Sequence, residues 1–163
     1  MTHLHAVEPE DLDLMYIIEN DMQLWQHAST TVPFSRYTLQ RYIKESTTDL
    51  FRDQQVRFAI HDDNDTTCGF LDIINFSPMH SRAETGIVLM KDAQGRGLAT
   101  IALREAWEYA RQMHIRMLYS FVAEDNIQAR KLYLRAGYRE SAIIPFWLQN
   151  GDNTQNAILF QIS

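Results

Sequence analysis

The segment around residue 90 constrains the fold more than any other part of the chain. Ile87-Val88-Leu89-Met90 is a continuous apolar run that reads as a strand, and Gln94-Gly95-Arg96-Gly97-Leu98-Ala99 follows it and opens an amphipathic helix at once. Leu98, Ile101, Ala102, Ala106, Tyr109 and Met113 recur at helical spacing to about residue 113, so that stripe is expected to be buried. A strand that runs through a glycine-rich turn directly into a helix belongs to a sheet with helices packed on it.

The flanking segments fit the same plan. A short strand is expected at 4–7, then Pro9 at a first helical position, with Glu10, Asp11 and Asp13 favouring the helix N-terminus and Leu12, Met15, Tyr16 and Glu19 at helical spacing. Ser35 is expected to cap a second helix that carries Leu39, Tyr42 and Ile43. Strands follow at 56–61, 69–76 and 84–90, with a polar turn at 62–65. After the helix come a strand at 117–122, a helix at 126–136 stopped by Gly137, and strands at 138–149 and 157–162 around Asn150-Gly151-Asp152. Antiparallel strands, a strand-helix-strand-helix unit and a closing hairpin make an α/β (α+β) fold: a mixed sheet with helices on its faces. Residues 1–163 contain no internal repeat, low-complexity tract or linker, which predicts a single domain.

Composition excludes several classes of function. With 45% hydrophobic and 22% charged residues the chain has enough apolar material for a core. No apolar run approaches the roughly 20 residues of a membrane span, and the Met1–Thr2–His3–Leu4–His5 start lacks the pattern of a secretory signal. The single cysteine, Cys68, precludes an intramolecular disulfide framework and fits a cytoplasmic, reducing compartment. A net charge of -6 argues against nucleic acid as partner and is compatible with a cationic substrate.

The turn at 94–99 reads as an anion site. A pyrophosphate needs several backbone N–H donors aimed at one point, and a helix N-terminus supplies them with a favourable dipole. Gly95 and Gly97 leave no side chain between backbone and anion, Ala99 keeps the first turn narrow, and Arg96 is available for a charge-assisted contact. No Lys-Ser/Thr pair follows, so the turn is not a P-loop, and the spacing is too short for a dinucleotide fingerprint. A plain strand-to-helix turn is the alternative. Asn126 lies just past the next strand and Tyr133 two helical turns further on, so both are expected at the crevice where neighbouring strands diverge.

These residues resemble a known family. Gln94-x-x-Gly97-x-Ala99 is similar to the phosphate-binding signature of GNAT N-acetyltransferases, and Asn126-x-x-Ala129-x-x-Leu132-Tyr133-x-x-x-Gly137-Tyr138 is similar to their second conserved segment. Arg82-Ala83-Glu84, the 94–100 run and Phe146-Trp147-Leu148-Gln149-Asn150-Gly151 resemble more narrowly the spermidine N-acetyltransferase branch. The resemblance implies a mostly antiparallel sheet with a splayed parallel pair, and acetyl-coenzyme A as donor without a metal. It implies that the pantetheine arm pairs along Ile87, Val88 and Leu89, and that Gln94, Gly95, Arg96, Gly97, Leu98, Ala99 and Thr100 hold the pyrophosphate. Asn126 would contact the cofactor arm, and Tyr133 would protonate the departing thiolate. It also implies a homo-oligomer, a dimer or larger.

The chemistry needs an acceptor amine freed of its proton, an oxyanion donor and an acid for sulfur. An aliphatic ammonium, with a pKa near ~10.4, is mostly charged at neutral pH. A backbone N–H near Val88 or Leu89 is the expected oxyanion donor. Glu84 is the candidate base, directly or through water; the alternative is a strand residue paired with Arg82. Asp72 is a candidate for holding the substrate ammonium, or else a charge that protects an edge strand. Tyr133 is alternatively core packing, and Asn126 alternatively a helix cap. His3 and His5 share a strand face, but no third ligand is apparent nearby and they read as surface histidines. Cys68 has no partner histidine and reads as a small buried residue rather than a nucleophile. Trp25, Phe34, Tyr37 and Tyr42 are expected to line the acceptor site or to be core. The connection from His27 to Phe34 holds no acidic cluster, so a regulatory polyamine site is not expected; Glu19, Asp21, Glu45 and Asp49 remain for a cationic acceptor. The reading is therefore acetyl transfer to a primary amine, polyamine first. A protein N-terminus is the alternative acceptor, and a non-catalytic acyl-coenzyme A sensor the alternative class.

Overall fold

The computed structural model describes residues 3–21 and 32–163. Its strands are β1 (Leu4–Ala6), β2 (Val56–His61), β3 (Thr67–Ser77), β4 (Arg82–Leu89), β5 (Met117–Ala123), β6 (Arg139–Asn150) and β7 (Asn153–Ile162), in one sheet ordered β1-β2-β3-β4-β5-β7-β6. The helices are α1 (Leu12–Glu19), α2 (Arg36–Glu45), α3 (Leu50–Asp53), α4 (Leu98–Gln112) and α5 (Ile127–Ala136). Trp25 and residues 27–31 of the connection read above lie outside the described residues.

Local chemistry sets the helix boundaries. Ser35 Oγ accepts the Thr38 N–H at 3.0 Å and starts α2. Pro9–Asp11 form a 3-10 turn ahead of α1, so Pro9 opens that turn rather than the helix. Asn126 Oδ1 accepts the Ala129 N–H at 3.1 Å and starts α5. Gly137, at φ 101°, ends α5 in the left-handed conformation that glycine adopts without strain.

Strand alternation divides the core into two layers. Phe58, Ile60, Leu71 and Ile73 pack with Ala102, Leu103 and Ala106 of α4 and with Tyr133 and Ala136 of α5. Ala59 and Phe70, their neighbours in β2 and β3, point to the other face and meet Met15, Ile18 and Leu39 of α1 and α2. Helices thus cover both faces. A fully buried leucine such as Leu71 or Leu103 contributes about 1.5–3 kcal/mol over its exposed state. On α4 the buried stripe is Leu98, Ala102, Leu103, Ala106 and Ala110, and its alanines let the helix lie close to the sheet. That stripe is rotated from the expected one: Ile101 is exposed, while Leu103 and Ala110 take its place in the core.

Among the described strands only β4 and β5 run parallel. They pair at Arg82–Met117, Ala83–Leu118 and Glu84–Tyr119 and then part, although β4 continues to Leu89 and β5 to Ala123. β3 exceeds its expected span at both ends, and it lies inside the sheet between β2 and β4. β6 is an edge strand whose register shifts between Ile144 and Leu148, around Pro145 and the left-handed Phe146 (φ 57°). Proline fits there because it has no N–H to give to a ladder. Among the described residues no helix is long and apolar enough to cross a membrane.

Candidate active site

The gap between β4 and β5 opens into a crevice of about 1890 Å³. Gly86, Ile87, Val88 and Leu89 line one wall, Phe121, Asn126, Ala129 and Leu132 the other, and the first turn of α4 closes one end. The backbone along the β4 wall is assigned by three hydrogen bonds. Thr85 O accepts the Tyr133 hydroxyl at 3.3 Å and Leu89 O accepts Gln94 Nε2 at 3.1 Å, both on the gap side, whereas the Met90 N–H donates to Cys68 O on β3 at 2.9 Å. Backbone groups alternate sides along a strand. The amides of Ile87 and Leu89 therefore face the gap and that of Val88 faces β3. Of the two expected oxyanion donors, Val88 is turned away and Leu89 faces the gap beside Gln94; the gap-facing amide nearer the splay is that of Ile87.

At the end of the crevice Gly95 and Gly97 both have positive φ, 77° and 83°. Gly97 is the N-cap of α4, and among the described residues no side chain caps the helix. Its first N–H groups, on Leu98, Ala99 and Thr100, stand at the crevice with no intrahelical partner. A dipole end with free donors is an anion site. Gln94, Gly95 and Gly97 line the crevice with them. Arg96 departs from its expected place. It is not among the lining residues, and its Nη1 pairs with Asp62 Oδ2 at 3.4 Å in the β2–β3 turn.

Tyr133 sits at the apex of the splay. Its hydroxyl bonds the Thr85 carbonyl and the Ser120 side chain, on the residues just past the last paired positions of β4 and β5. The side chain is only 4% exposed and does not line the crevice surface; Leu132 takes that position. The ring packs edge-on against Tyr138 at 5.0 Å and against Phe160 at 5.6 Å. Core packing and a place at the splay of β4 and β5 thus coincide. Burial pushes its pKa up, against the smaller opposing effect of the Ser120 and Thr85 hydrogen bonds, so the hydroxyl keeps its proton.

Glu84, the last β4 residue paired to β5, lines the crevice. Its Oε2 accepts Asn75 Nδ2 at 2.8 Å, and among the described residues no cation pairs with it, Arg82 included. Asp72 also lines the crevice, on an interior strand, which removes the edge-protection reading. Arg57 Nε and Nη2 donate to its two oxygens at 2.6 and 2.8 Å, and Arg57 Nη1 donates to Glu19 at 2.6 Å. Burial works against the Arg57 charge, but Asp72 and Glu19 outweigh it and hold the guanidinium firmly protonated. One cation between two carboxylates leaves the group with a net negative charge.

Sequence reasoning missed Arg57 as the organiser of that group, and Gln128, Lys131 and Arg135 as lining residues of α5. The spacing of these three with Leu132 marks one helical face, which was the available signal. Asn126 both caps α5 and lines the crevice. Phe34 and Tyr42 line it and pack on the second core layer, whereas Tyr37 is exposed. Glu45 pairs with Arg41, and Asp49 caps α3. Cys68 is buried, with Sγ donating to Ile60 O at 3.3 Å and burial raising its pKa, which suits a core thiol. His3 bonds Glu105 on α4, so it does not join His5, which instead stacks on His61 beside Asp65.

The acetyltransferase (GNAT) domain family matches residues 2–139. Spermidine N(1)-acetyltransferase of Escherichia coli is 24% identical over 140 residues, covering 83% of this chain and 71% of that protein. The Vibrio cholerae enzyme of the same name is 24% identical over 138 residues, covering 84% and 78%. The crystal structure of spermidine N-acetyltransferase from Vibrio cholerae in complex with CoA and spermine has the same fold, with a TM-score of 0.82 at 22% identity over 98% of this chain and 93% of that one. A strand pair splayed beside an uncapped helix N-terminus, within a matched family domain, is sufficient for assignment: the chain belongs to the GNAT acetyltransferase family, whose acetyl donor is acetyl-coenzyme A.

Proposed function

We propose that this protein transfers the acetyl group of acetyl-coenzyme A to a primary amine, with a spermidine-like polyamine as the favoured acceptor, by direct attack in a ternary complex. The observation that carries the choice of acceptor is the Glu19–Arg57–Asp72 group in the crevice wall, with Glu84 further along the same crevice. Its net negative charge attracts a polycation and disfavours an anionic acceptor. The similarity to spermidine acetyltransferases supports the same choice.

In this reading the uncapped N–H groups of Leu98, Ala99 and Thr100 bind the pyrophosphate, with Gln94, Gly95 and Gly97 shaping the turn and Lys131 and Arg135 adding positive charge. Ile87 and Leu89 pair with the pantetheine arm as a missing strand would, Val88 packs beneath it, and Asn126 bonds the arm from the opposite wall. Asp72 attracts the ammonium. Glu84 takes its proton, directly or through a water, and the amine nitrogen forms its bond to the thioester carbon. The gap-facing Ile87 N–H, two residues from Thr85, donates to the carbonyl oxygen as that oxygen gains charge, while Leu89 holds the arm nearer the pyrophosphate. As the carbon–sulfur bond breaks, Tyr133 turns its proton from Thr85 O to the leaving sulfur, and the second proton shed by the nitrogen restores the phenol.

The enzyme acts in the cytoplasm, a location supported by a sequence whose one cysteine, Cys68, is buried and builds no disulfide framework. It assembles as a homo-oligomer through the edge of β6, where Ile143, Phe146 and Trp147 are 59%, 76% and 54% exposed. The deciding assay is release of coenzyme A thiol from acetyl-coenzyme A with polyamines, amino acids and N-terminal peptides. Fastest release with spermidine or spermine is expected. Preference for a peptide N-terminus would transfer the acceptor assignment to proteins, and tight acetyl-coenzyme A binding without release on any amine would reject the enzymatic reading.

A further inference from the structure

A second constellation lies outside the crevice, where β1 meets the turn between β2 and β3. His5 stacks on His61 with ring centroids 3.9 Å apart and planes 13° from parallel. His61 Nδ1 is 2.8 Å from Asp65 Oδ1, and its Nε2 is 3.1 Å from Thr67 Oγ1. Thr67 in turn donates its hydroxyl proton to Asp11 Oδ1 at 2.7 Å, and Asp11 Oδ2 accepts the Glu8 N–H at 2.8 Å.

This order of donors fixes the tautomer. A carboxylate only accepts, so the single Thr67 proton goes to Asp11 and the Thr67 oxygen must accept from His61 Nε2–H. A neutral His61 then presents the bare lone pair of Nδ1 to the Asp65 carboxylate, acceptor against acceptor at hydrogen-bond distance. The gap calls for a positive occupant, either a second ring proton or a metal ion. The ligand atoms of His5, His61 and Asp65 all lie within 4.8 Å of one another. Two imidazole nitrogens and a carboxylate oxygen suit zinc and its neighbours, and leave a fourth position for water. The Asp11–Thr67 relay behind His61 orients the ring, as outer partners of metal-bound histidines do.

We propose that His5, His61 and Asp65 form a zinc-class metal site that ties β1 to the β2–β3 turn. Parallel rings cannot aim two lone pairs at one ion, so binding turns His5 about its Cβ–Cγ bond and out of the stack, along a soft torsion. None of the three residues lines the crevice, and the site stands apart from the acetyl-transfer reading.

The test uses the full chain after chelator treatment, titrated with zinc chloride by calorimetry and followed by thermal melting. One equivalent of zinc and a rise in Tm are expected in the wild type and in His3→Gln. Both are expected to be lost in His61→Gln and in Asp65→Asn, with acetyl transfer unchanged. Asparagine tolerates the left-handed φ of 60° at position 65, so loss of binding in that variant is not a folding defect. Binding that is equal in all variants, or absent from the wild type, overturns the site. So does nitrogen-15 NMR with His61 protonated on both nitrogens and that signal unmoved by zinc.

Discussion

Tyr133→Phe separates a catalytic hydroxyl from a packing ring, because the phenyl group keeps the contacts with Tyr138 and Phe160 and loses only the oxygen. That oxygen bonds the Thr85 carbonyl at the splay, and leaving a buried acceptor without its partner costs about 1–3 kcal/mol of stability. If the hydroxyl also delivers the proton to sulfur, turnover falls by the ~10²–10⁴-fold typical of general acid catalysis. At about 1.36 kcal/mol per tenfold, that is roughly 2.7–5.4 kcal/mol of barrier, in addition to any loss of stability. Tyr138→Phe is the matched control. Its buried hydroxyl bonds Thr85 Oγ1 at 3.2 Å, so it is expected to lose similar stability while keeping its rate. The assay is thiol release at saturating amine, with urea unfolding of both variants. The expected pattern is similar destabilisation, a rate loss in Tyr133→Phe alone, and an unchanged KM for acetyl-coenzyme A. A loss under about tenfold, or one matched by Tyr138→Phe, removes Tyr133 from the acid role.

Four further outcomes follow from the geometry. Asp72→Asn takes away the net negative charge of the Arg57 group, and a hydrogen bond to a charged group is worth about 1.5–3 kcal/mol; the KM for spermidine should rise about tenfold or more in steady-state kinetics while that for acetyl-coenzyme A stays the same. Gly97→Val forces a branched side chain into φ 83°, at a cost of at least about 1–2 kcal/mol, and calorimetry should find weaker coenzyme A binding. Burial raises the pKa of both Tyr133 and Tyr138, so the unfolded chain ionises first; stability is whole below about pH 10 and declines above it, and Tyr138→Phe should flatten that decline in alkaline urea melts. Phe146→Asp places a charge on the exposed β6 edge and should shift light scattering towards a smaller species.

Much of the fold was legible because its signals are local. Ser35, Asn126 and Gly137 mark helix ends through hydrogen bonds or backbone conformations that involve only a few neighbouring residues. The strand at 56–61 matches β2 because alternation and the polar turn after it lie side by side in the sequence. What was misread depended on neighbours distant in sequence. Ile101 has the spacing of a core residue, but it lines the crevice and its side chain is exposed there. The interior position of β3, which decides what Asp72 can be, follows from pairing with both β2 and β4 and from nothing in its own residues.

The same distinction runs through the site. The proposed donor half is built largely from backbone: a helix N-terminus at Gly97, two glycines at positive φ, and the gap-facing amides of β4. Backbone requirements leave a compact trace, and Gln94 to Thr100 carries most of it. The proposed acceptor half is made of side chains gathered from α1, β2 and β3, and its centre is a cation. Arg57 has no motif around it, and only the fold brings Glu19 and Asp72 within 2.6 Å of its guanidinium. A carboxylate read alone is a candidate for binding an ammonium; the same carboxylate beside Arg57 has half of its charge answered already. In the proposed reading the acceptor competes for Asp72 with a fixed internal cation, which favours a substrate with several ammonium groups over one with a single charge. A ratio of spermidine to monoamine kcat/KM that collapses towards unity in Asp72→Asn would bear this out, and an unchanged ratio would place polyamine selection elsewhere in the crevice.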